Sequence, residues 1–528
     1  INKVQLITSP FRELYQDKSN LIFLGQWCFL AGEKTDQEII DYHWLDREKF
    51  KNDFNYLNKL VSKINYQLAD ILNKINNTSY SKEFWYMIIN PWVSMFVSAV
   101  YDRWESSKKA IELSKISQVN FLESEKNLIP NDFNDYLQLY NDHLWNHNIF
   151  KDIFEFINIK EINIKYIKKK TFLKKPIYKN KKLFIKLFID KIFSLFTKKK
   201  HVVLIDSYFS LLNFLKLSLS IRQLPRIYYE FYKDIQLPEE NNDLRSKIRL
   251  NLNENNFERF ISSYIPKNFP KSFLEGFKTM IYEADKVKID SSLIITSNAN
   301  FPTELSKFWC AFKKEEKSKI ILNEHGGSIP LKYRYYDIHN KIFEKQICWS
   351  KPKSKDQTQL SPSKLIGLEK IKSRKKDLSI ITADATQYAY YCRNLQSSLI
   401  LEDFKQKKKF MEILNSEKIN FKIKPYENMG WCLEEKYKKI FGNELITKKN
   451  IKNVIQESKL VVCTYPETTF FESMISGVPT ILLYMDNIWK FDDSSQDLIN
   501  NLCKNDIIFS CPQKASQHVK KIIDDPKK

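Results

Sequence analysis

The chain has 528 residues, 43% hydrophobic and 14% aromatic, with only 9 Gly and 17 Pro, which excludes wholesale disorder, collagen-like repeats and a small staple-dependent fold. At about 100 to 200 residues per domain, this length corresponds to about three domains. The formal charge of +22 invites a nucleic-acid partner, but the basic residues are mostly Lys, and the Arg fork that reads guanine edges and phosphates is scarce, so none is expected.

Val4 to Thr8 and Leu21 to Leu24 are short apolar segments. A helix follows, with Leu57, Leu60, Val61, Ile64, Leu68, Ile71 and Leu72 at three- and four-residue spacing, and a second helix is predicted from Lys82 to Leu113. Around them stand aromatic and polar words: Leu24-Gly25-Gln26-Trp27-Cys28, Tyr42-His43-Trp44-Leu45-Asp46-Arg47 and Tyr101-Asp102-Arg103-Trp104-Glu105. They fit an aromatic core with Arg–Asp pairs, or else a ligand pocket. Residues 1–155 are therefore expected to form a mostly helical N-terminal domain, with acceptor binding as its candidate role. Residues 156–200 read as a basic linker, in which Lys182 to Lys200 is amphipathic and suited either to an anionic membrane interface or to an ordinary buried helix beside solvated charge.

From His201 the pattern becomes short β-branched runs alternating with helices, the rhythm of parallel α/β units. Strands are predicted at His201–Ile205, Ser292–Thr296, Lys319–Asn323 and Gln346–Trp349, and then at Leu378–Thr382, Asn420–Lys424, Leu460–Cys463 and Pro479–Leu483. This gives one α/β domain over 201–350, a polar hinge over 351–376 and a second α/β domain over 377–528. The eight cysteines show neither C-x-x-C spacing nor a neighbouring His cluster, so no zinc site is expected and a reducing cytoplasm is the simplest compartment. Neither a signal peptide nor a transmembrane helix is predicted.

Ligands of open α/β sheets bind at the carboxyl ends of strands, so the words after the strands come first. Ile320-Ile321-Leu322-Asn323-Glu324-His325-Gly326-Gly327 ends a strand on an acid, a histidine and two glycines. The glycine amides suit an oxyanion, and the imidazole suits a general base, a general acid or a phosphate donor. Lys424-Pro425-Tyr426-Glu427 puts a cation and a fixed turn at another strand end, and Thr468-Thr469 opens a helix whose N–H groups suit phosphate, with Glu472 one turn on as a candidate ribose acceptor. A glycine turn with a structural His, a solvated Lys and a simple Thr N-cap are the plain alternatives. P-loop, dinucleotide, zincin and hydrolase motifs are missing, as is an Asp-x-Asp word, so neither a metal nor a cofactor is predicted.

These words together resemble a family of transferases of bacterial surface-carbohydrate (O-antigen and capsule) gene clusters, related to two-Rossmann-domain (GT-B-like) glycosyltransferases. The resemblance rests on Leu24-Gly25-Gln26-Trp27-Cys28, Tyr42-His43-Trp44, Asp46-Arg47, Pro91-Trp92, Tyr101-Asp102-Arg103, Ser297-Asn298-Ala299 with Glu304, Lys307 and Trp309, His325-Gly326-Gly327, Gly430-Trp431, Thr464-Tyr465, Thr468-Thr469-Phe470 and Glu472-Ser473. The chain is similar, more distantly, to capsule Kdo transferases and glycerol-phosphate transferases. It differs from them in carrying Glu324 in place of Gln, and Lys424-Pro425-Tyr426-Glu427 in place of a His-Pro or Pro-His word.

The resemblance implies an α/β fold with two Rossmann-like domains, and a nucleotide-sugar donor, CMP-linked ulosonic or nonulosonic acid first. The acceptor would be a surface glycan or its lipid-linked precursor at the cytoplasmic face of the inner membrane. His325 and Glu304 are the catalytic candidates, Glu304 as base or nucleophile. Asn298, Gly326, Gly327, Lys307, Lys424, Pro425, Tyr426, Thr468, Thr469 and Glu472 are the candidates for donor binding. The alternatives are a polyol-phosphate transferase of the same architecture and a non-catalytic binding protein.

Overall fold

The computed structural model describes residues 4–15, 20–29, 36–123, 128–168, 201–298, 303–326, 331–333, 342–349, 351–352, 354–367 and 377–524. The Lys182–Lys200 segment and Gly327 lie outside the described residues. Three parallel sheets of five strands each follow one another along the chain.

The first sheet comprises β1 (Val4–Ile7), β2 (Leu21–Phe23), β3 (Glu38–Ile39), β4 (Ile116–Glu123) and β5 (Asn163–Lys168), in the order β3-β2-β1-β4-β5. Helices dominate this unit by residue count, as expected, but they are arranged around a sheet that the apolar pattern only half announced. β5 falls inside the stretch read as linker, where its exposed Lys165 and Lys168 protect a sheet edge.

The second sheet runs sequentially through β6 (Val202–Ile205), β7 (Leu293–Thr296), β8 (Lys319–Asn323), β9 (Lys345–Cys348) and β10 (Gln357–Gln359). The stretch read as a 351–376 hinge is therefore not linker throughout, because β10 pairs with β9 from Gln357 to Gln359. Composition does not mark this strand, because an edge strand needs ladder hydrogen bonds rather than apolar side chains. The third sheet holds β11 (Asp377–Ile381), β12 (Phe421–Lys424), β13 (Ser458–Cys463), β14 (Thr480–Leu483) and β15 (Ile508–Phe509), in the order β12-β11-β13-β14-β15. Its central strands are covered on both faces, and Leu460 to Cys463 are all buried.

Two 30-residue helices organise the N-terminal unit. α1 (Arg47–Asn76) starts where the Asp46 carboxylate accepts from the N–H groups of Glu48 and Lys49, and ends at Asn77 in the left-handed region. α2 (Lys82–Ile111) is long and apolar enough to cross a membrane, yet it is the core helix, buried almost along its length. Its aromatic N-terminal end packs against the second unit, with Phe84 and Phe312 ring centroids 5.6 Å apart and Trp85 and Phe277 4.7 Å apart.

Further along α2, Asp102 accepts from the Tyr42 hydroxyl at 2.6 Å, lies 3.1 Å from His43 Nε2, and pairs with Arg103 at 3.2 Å. The tyrosine–histidine and aspartate–arginine words are thus one buried polar network within an aromatic core. Arg103 donates to Asn146 Oδ1 through Nε (2.9 Å) and Nη2 (2.6 Å), and through Nη1 to the carbonyls of Ala99 and of Ala389 in the third unit. Breaking a buried ion pair strands its partner charge. Arg103→Leu is expected to lose about 3–5 kcal/mol of stability, read as a lower denaturant midpoint.

The order of the first sheet changes direction between β1 and β4, the place where such sheets bind ligands. Here protein fills it. After helix α3 (Phe133–Leu139), helix α4 (His143–Ile157) supplies His147, whose Nε2 accepts from the Leu122 N–H at 2.9 Å. That leaves Nδ1 as the protonated nitrogen of the neutral ring, donating to Ser9 Oγ at 2.7 Å. The ring therefore cannot act as a base toward Ser9. Burial pushes the His147 pKa down to about 3, so only the unfolded chain takes up this proton as the pH falls below its usual value of about 6.5. The stability advantage of the wild type over His147→Gln should accordingly shrink between pH 7 and pH 5 in urea titrations.

Candidate active site

The third sheet reverses direction between β11 and β13, and there the chain leaves an open cleft of about 300 Å³ facing the second unit. Ala383 and Asp384 reach it from the end of β11, and Tyr465, Glu467 and Thr468 from the end of β13. His325 and Gly326 enter from the end of β8 on the other side. The approach is close, since a Cβ on Gly326 would stand 3.1 Å from Thr468 Oγ1.

His325 is held at its Nδ1 edge. The Ser297 carbonyl, 2.7 Å away, can only accept, so Nδ1 carries the proton and Nε2 of the neutral ring carries a lone pair. Tyr208 stacks on the ring with centroids 5.0 Å apart. Burial lowers the His325 pKa against the opposing effects of the Ser297 carbonyl and Asp206, and Lys364 lowers it further. Asn298 stands behind this arrangement and donates to Asp206 Oδ2 at 3.2 Å. Glu324 turns into the sheet, where its carboxylate accepts from Trp349 N at 3.2 Å.

Across the cleft, the Thr468–Ile475 helix begins with Glu467 at the N-cap, whose own side chain makes no capping hydrogen bond. Its first amides retain their N-terminal character. Thr469 Oγ1 meets the Tyr465 hydroxyl at 3.0 Å. Tyr426 also lines the cleft, whereas the neighbouring Pro425 is buried and is not among the lining residues.

The structure does not bring every candidate here. Lys424, at the end of β12, is not among the residues lining the cleft. Glu472 pairs with Lys364 of the second unit at 2.7 Å, and both line a separate cavity of about 590 Å³ between the units. Glu304 and Lys307 pair with each other at 3.1 Å in the interior, where Glu304 Oε2 also accepts from Phe133 N at 3.0 Å. Both acids are thereby committed to holding units together.

Three charged residues of the cleft were not singled out in the sequence: Asp384, Arg393 and Glu467. Asp384 accepts from Ala385 N at 2.7 Å and Met429 N at 3.1 Å, and burial still pushes its pKa up to about 6. Burial likewise raises Glu467, with Arg393 opposing. Strand-end position alone could have identified Asp384, whereas Arg393 sits far along an irregular loop without a local signal. That loop also explains the Gly430-Trp431 word: Gly430 has φ +118°, and a Cβ there would meet Gln387 at 2.7 Å. Among the described residues no group of three His, Cys, Asp or Glu side chains converges to hold a metal ion.

An α/β protein with a polar cleft between two parallel-sheet units, open at the strand ends of both, is thus defined. The chain belongs to the LIC12162 family of transferases, whose family model matches residues 4–528. No curated protein sequence matches it. Among solved structures it is similar to a Listeria monocytogenes protein described as a UDP-N-acetylglucosamine 2-epimerase, at 11% identity and TM-score 0.33, over 48% of this chain and 72% of that one. It is similar to S. aureus MnaA in complex with UDP, at 8% identity and TM-score 0.33, over 78% and 89% of the two chains. It is also similar to Acinetobacter baumannii MurG, at 10% identity and TM-score 0.31, over 65% and 88%. Likeness at this level assigns neither ligand nor reaction.

The contact across the cleft has a direct test. Gly326→Ala is expected to destabilise the protein by up to about 1 kcal/mol by crowding Thr468, and a Thr468→Ala background should remove that penalty in a double-mutant cycle of thermal unfolding.

Proposed function

We propose that the protein is a glycosyltransferase that binds a nucleotide-activated sugar in this cleft and transfers the sugar to a hydroxyl of a surface glycan or its lipid-linked precursor. The observation that carries this reading is the meeting of the His325-Gly326 turn with the Thr468–Ile475 helix start at the switch point of the third sheet. A phosphate there would meet helix amides, the Thr468 hydroxyl and the backbone of the His325-Gly326 turn.

In this reading the acceptor hydroxyl gives its proton to His325 Nε2 as its oxygen bonds to the anomeric carbon. The bond from that carbon to the phosphate oxygen breaks, and the nucleotide leaves with the electron pair. The helix start and the glycine turn stabilise the developing charge on the phosphate. The pKa lowering of His325 keeps the ring neutral and able to accept at neutral pH. The donor favoured by the resemblance of the His325-Gly326 turn to capsule Kdo transferases is a CMP-linked ulosonic or nonulosonic acid.

Calorimetry and thermal shift with CMP, CDP, UDP, GDP and dTDP test the reading. CMP should bind selectively, adding about 2.7 kcal/mol of apparent stability at about 100 times its Kd. Thr468→Ala should weaken it about tenfold, while Lys424→Ala should not. His325→Ala should leave CMP binding intact and lower kcat for donor turnover by about 100-fold or more. A wild-type protein that binds no nucleotide would overturn the reading.

A further inference from the structure

We propose that Arg393 is the anion receptor of the cleft, its guanidinium taking an oxyanion of the substrate, either a nucleotide phosphate or the carboxylate of an acidic sugar. The inference deepens the transferase reading and rests on it only for the identity of the ligand.

Arg393 lines the cleft from the loop that follows β11. That loop is pinned on both sides of it. Ser397 Oγ donates to the Gln387 carbonyl at 2.8 Å, and Asn394 donates to the Tyr333 carbonyl while accepting from Lys490 N at 3.1 Å. The guanidinium carbon stands 5.0 Å from the Tyr390 ring centroid, and Tyr140 supports that ring at 4.4 Å. The arginine is thus positioned before any ligand arrives.

Its head group is distinctive among the partly or fully buried arginines of the described residues, of which Arg47 donates to the Trp44 and Ile488 carbonyls. Arg103 is bonded to Asp102, Asn146 and two carbonyls, Arg245 to Glu275 and two carbonyls, and Arg226 to Glu230. Among the described residues the Arg393 guanidinium makes neither a hydrogen bond nor an ion pair, and the backbone N–H of Arg393 donates to Gln396 Oε1 at 3.4 Å. Glu467 acts on it electrostatically but stays outside ion-pair distance. Burial works against the Arg393 charge, and Tyr390, Glu467, Tyr140 and Tyr426 outweigh it, holding the group above its ordinary pKa. A permanent charge with five N–H donors, held in a cavity without a bonded counter-ion, matches an oxyanion in geometry and sign.

The test is calorimetry on the full chain with inorganic phosphate, CMP, N-acetylneuraminic acid and CMP-N-acetylneuraminic acid, comparing wild type, Arg393→Gln and Arg393→Lys, with unfolding midpoints as the folding control. Arg393→Gln should weaken at least one of these probes by about 10- to 100-fold. The lysine variant, which keeps the charge without the fork, should fall between and serves as the readout if the glutamine variant does not fold. Loss on phosphate and CMP identifies the oxyanion as phosphate. Loss confined to N-acetylneuraminic acid and its CMP derivative identifies the sugar carboxylate. A wild type that binds phosphate or N-acetylneuraminic acid but no nucleotide sinks the donor reading, while the dependence on Arg393 still decides this one. Wild-type affinities in the variants, or a wild type that binds none of the four probes, would overturn the assignment.

Discussion

A charge buried at Arg103 is the constraint from which the rest of the architecture follows. A guanidinium taken fully out of water must have its donors satisfied, and this one uses Asp102 and Ala99 on its own helix, Asn146 on α4 and the carbonyl of Ala389. The last of these ties the N-terminal unit to the loop that carries Asp384 and Arg393. Tyr388 strengthens the same junction, with its hydroxyl 3.0 Å from His143 Nδ1 and its ring centroid 5.8 Å from that of Trp27. The N-terminal unit therefore acts as a brace, and the cleft residues inherit its rigidity.

The three sheets differ in what they do with their strand ends. The β1/β4 switch point is filled by Ser9, His147 and Trp27, the last donating to the Thr8 carbonyl at 3.2 Å. Filling that crevice with hydrogen-bonded side chains converts a potential site into core. At the β11/β13 switch point the loops diverge instead, leaving carboxylates, an arginine and a helix start around a cavity. The second sheet contributes its His325-Gly326 turn across the gap, and Lys364 reaches Glu472 beside it. That ion pair closes the two units on each other next to the cleft, a use for Glu472 that helix position alone does not reveal.

Local pattern made some of this visible and concealed the remainder. The 3.6-residue stripe of α1 and the apolar runs of β7, β8, β11 and β13 are local properties, and the structure has them within a residue or two of where the pattern places them. β3, β5 and β10 were not visible, because short edge strands are defined by pairing partners rather than by composition. His325, Gly326 and Thr468 could be chosen because each stands at the end of a recognisable strand or the start of a recognisable helix, and the cleft brings these three together. Glu304 and Lys307 also looked like functional residues. Their spacing of three on a helix is equally that of an interior ion pair, and only the packing of Phe133 against them distinguishes the two.

What the sequence by itself determined is the α/β rhythm, the two long N-terminal helices, the membership of one transferase family and the chemistry available at strand ends. These follow from hydrophobic periodicity and residue type, which act over a few residues. What only the tertiary structure decided is which of those strand ends face one another, that the tyrosine–histidine and aspartate–arginine words of the N-terminal unit close on themselves as core, and that the Arg393 guanidinium stands in a cavity without a hydrogen-bonded partner among the described residues. The physical reason is that burial and pairing are properties of neighbours brought together from distant parts of the chain. A charge reveals whether it is committed or available only when those neighbours are in place.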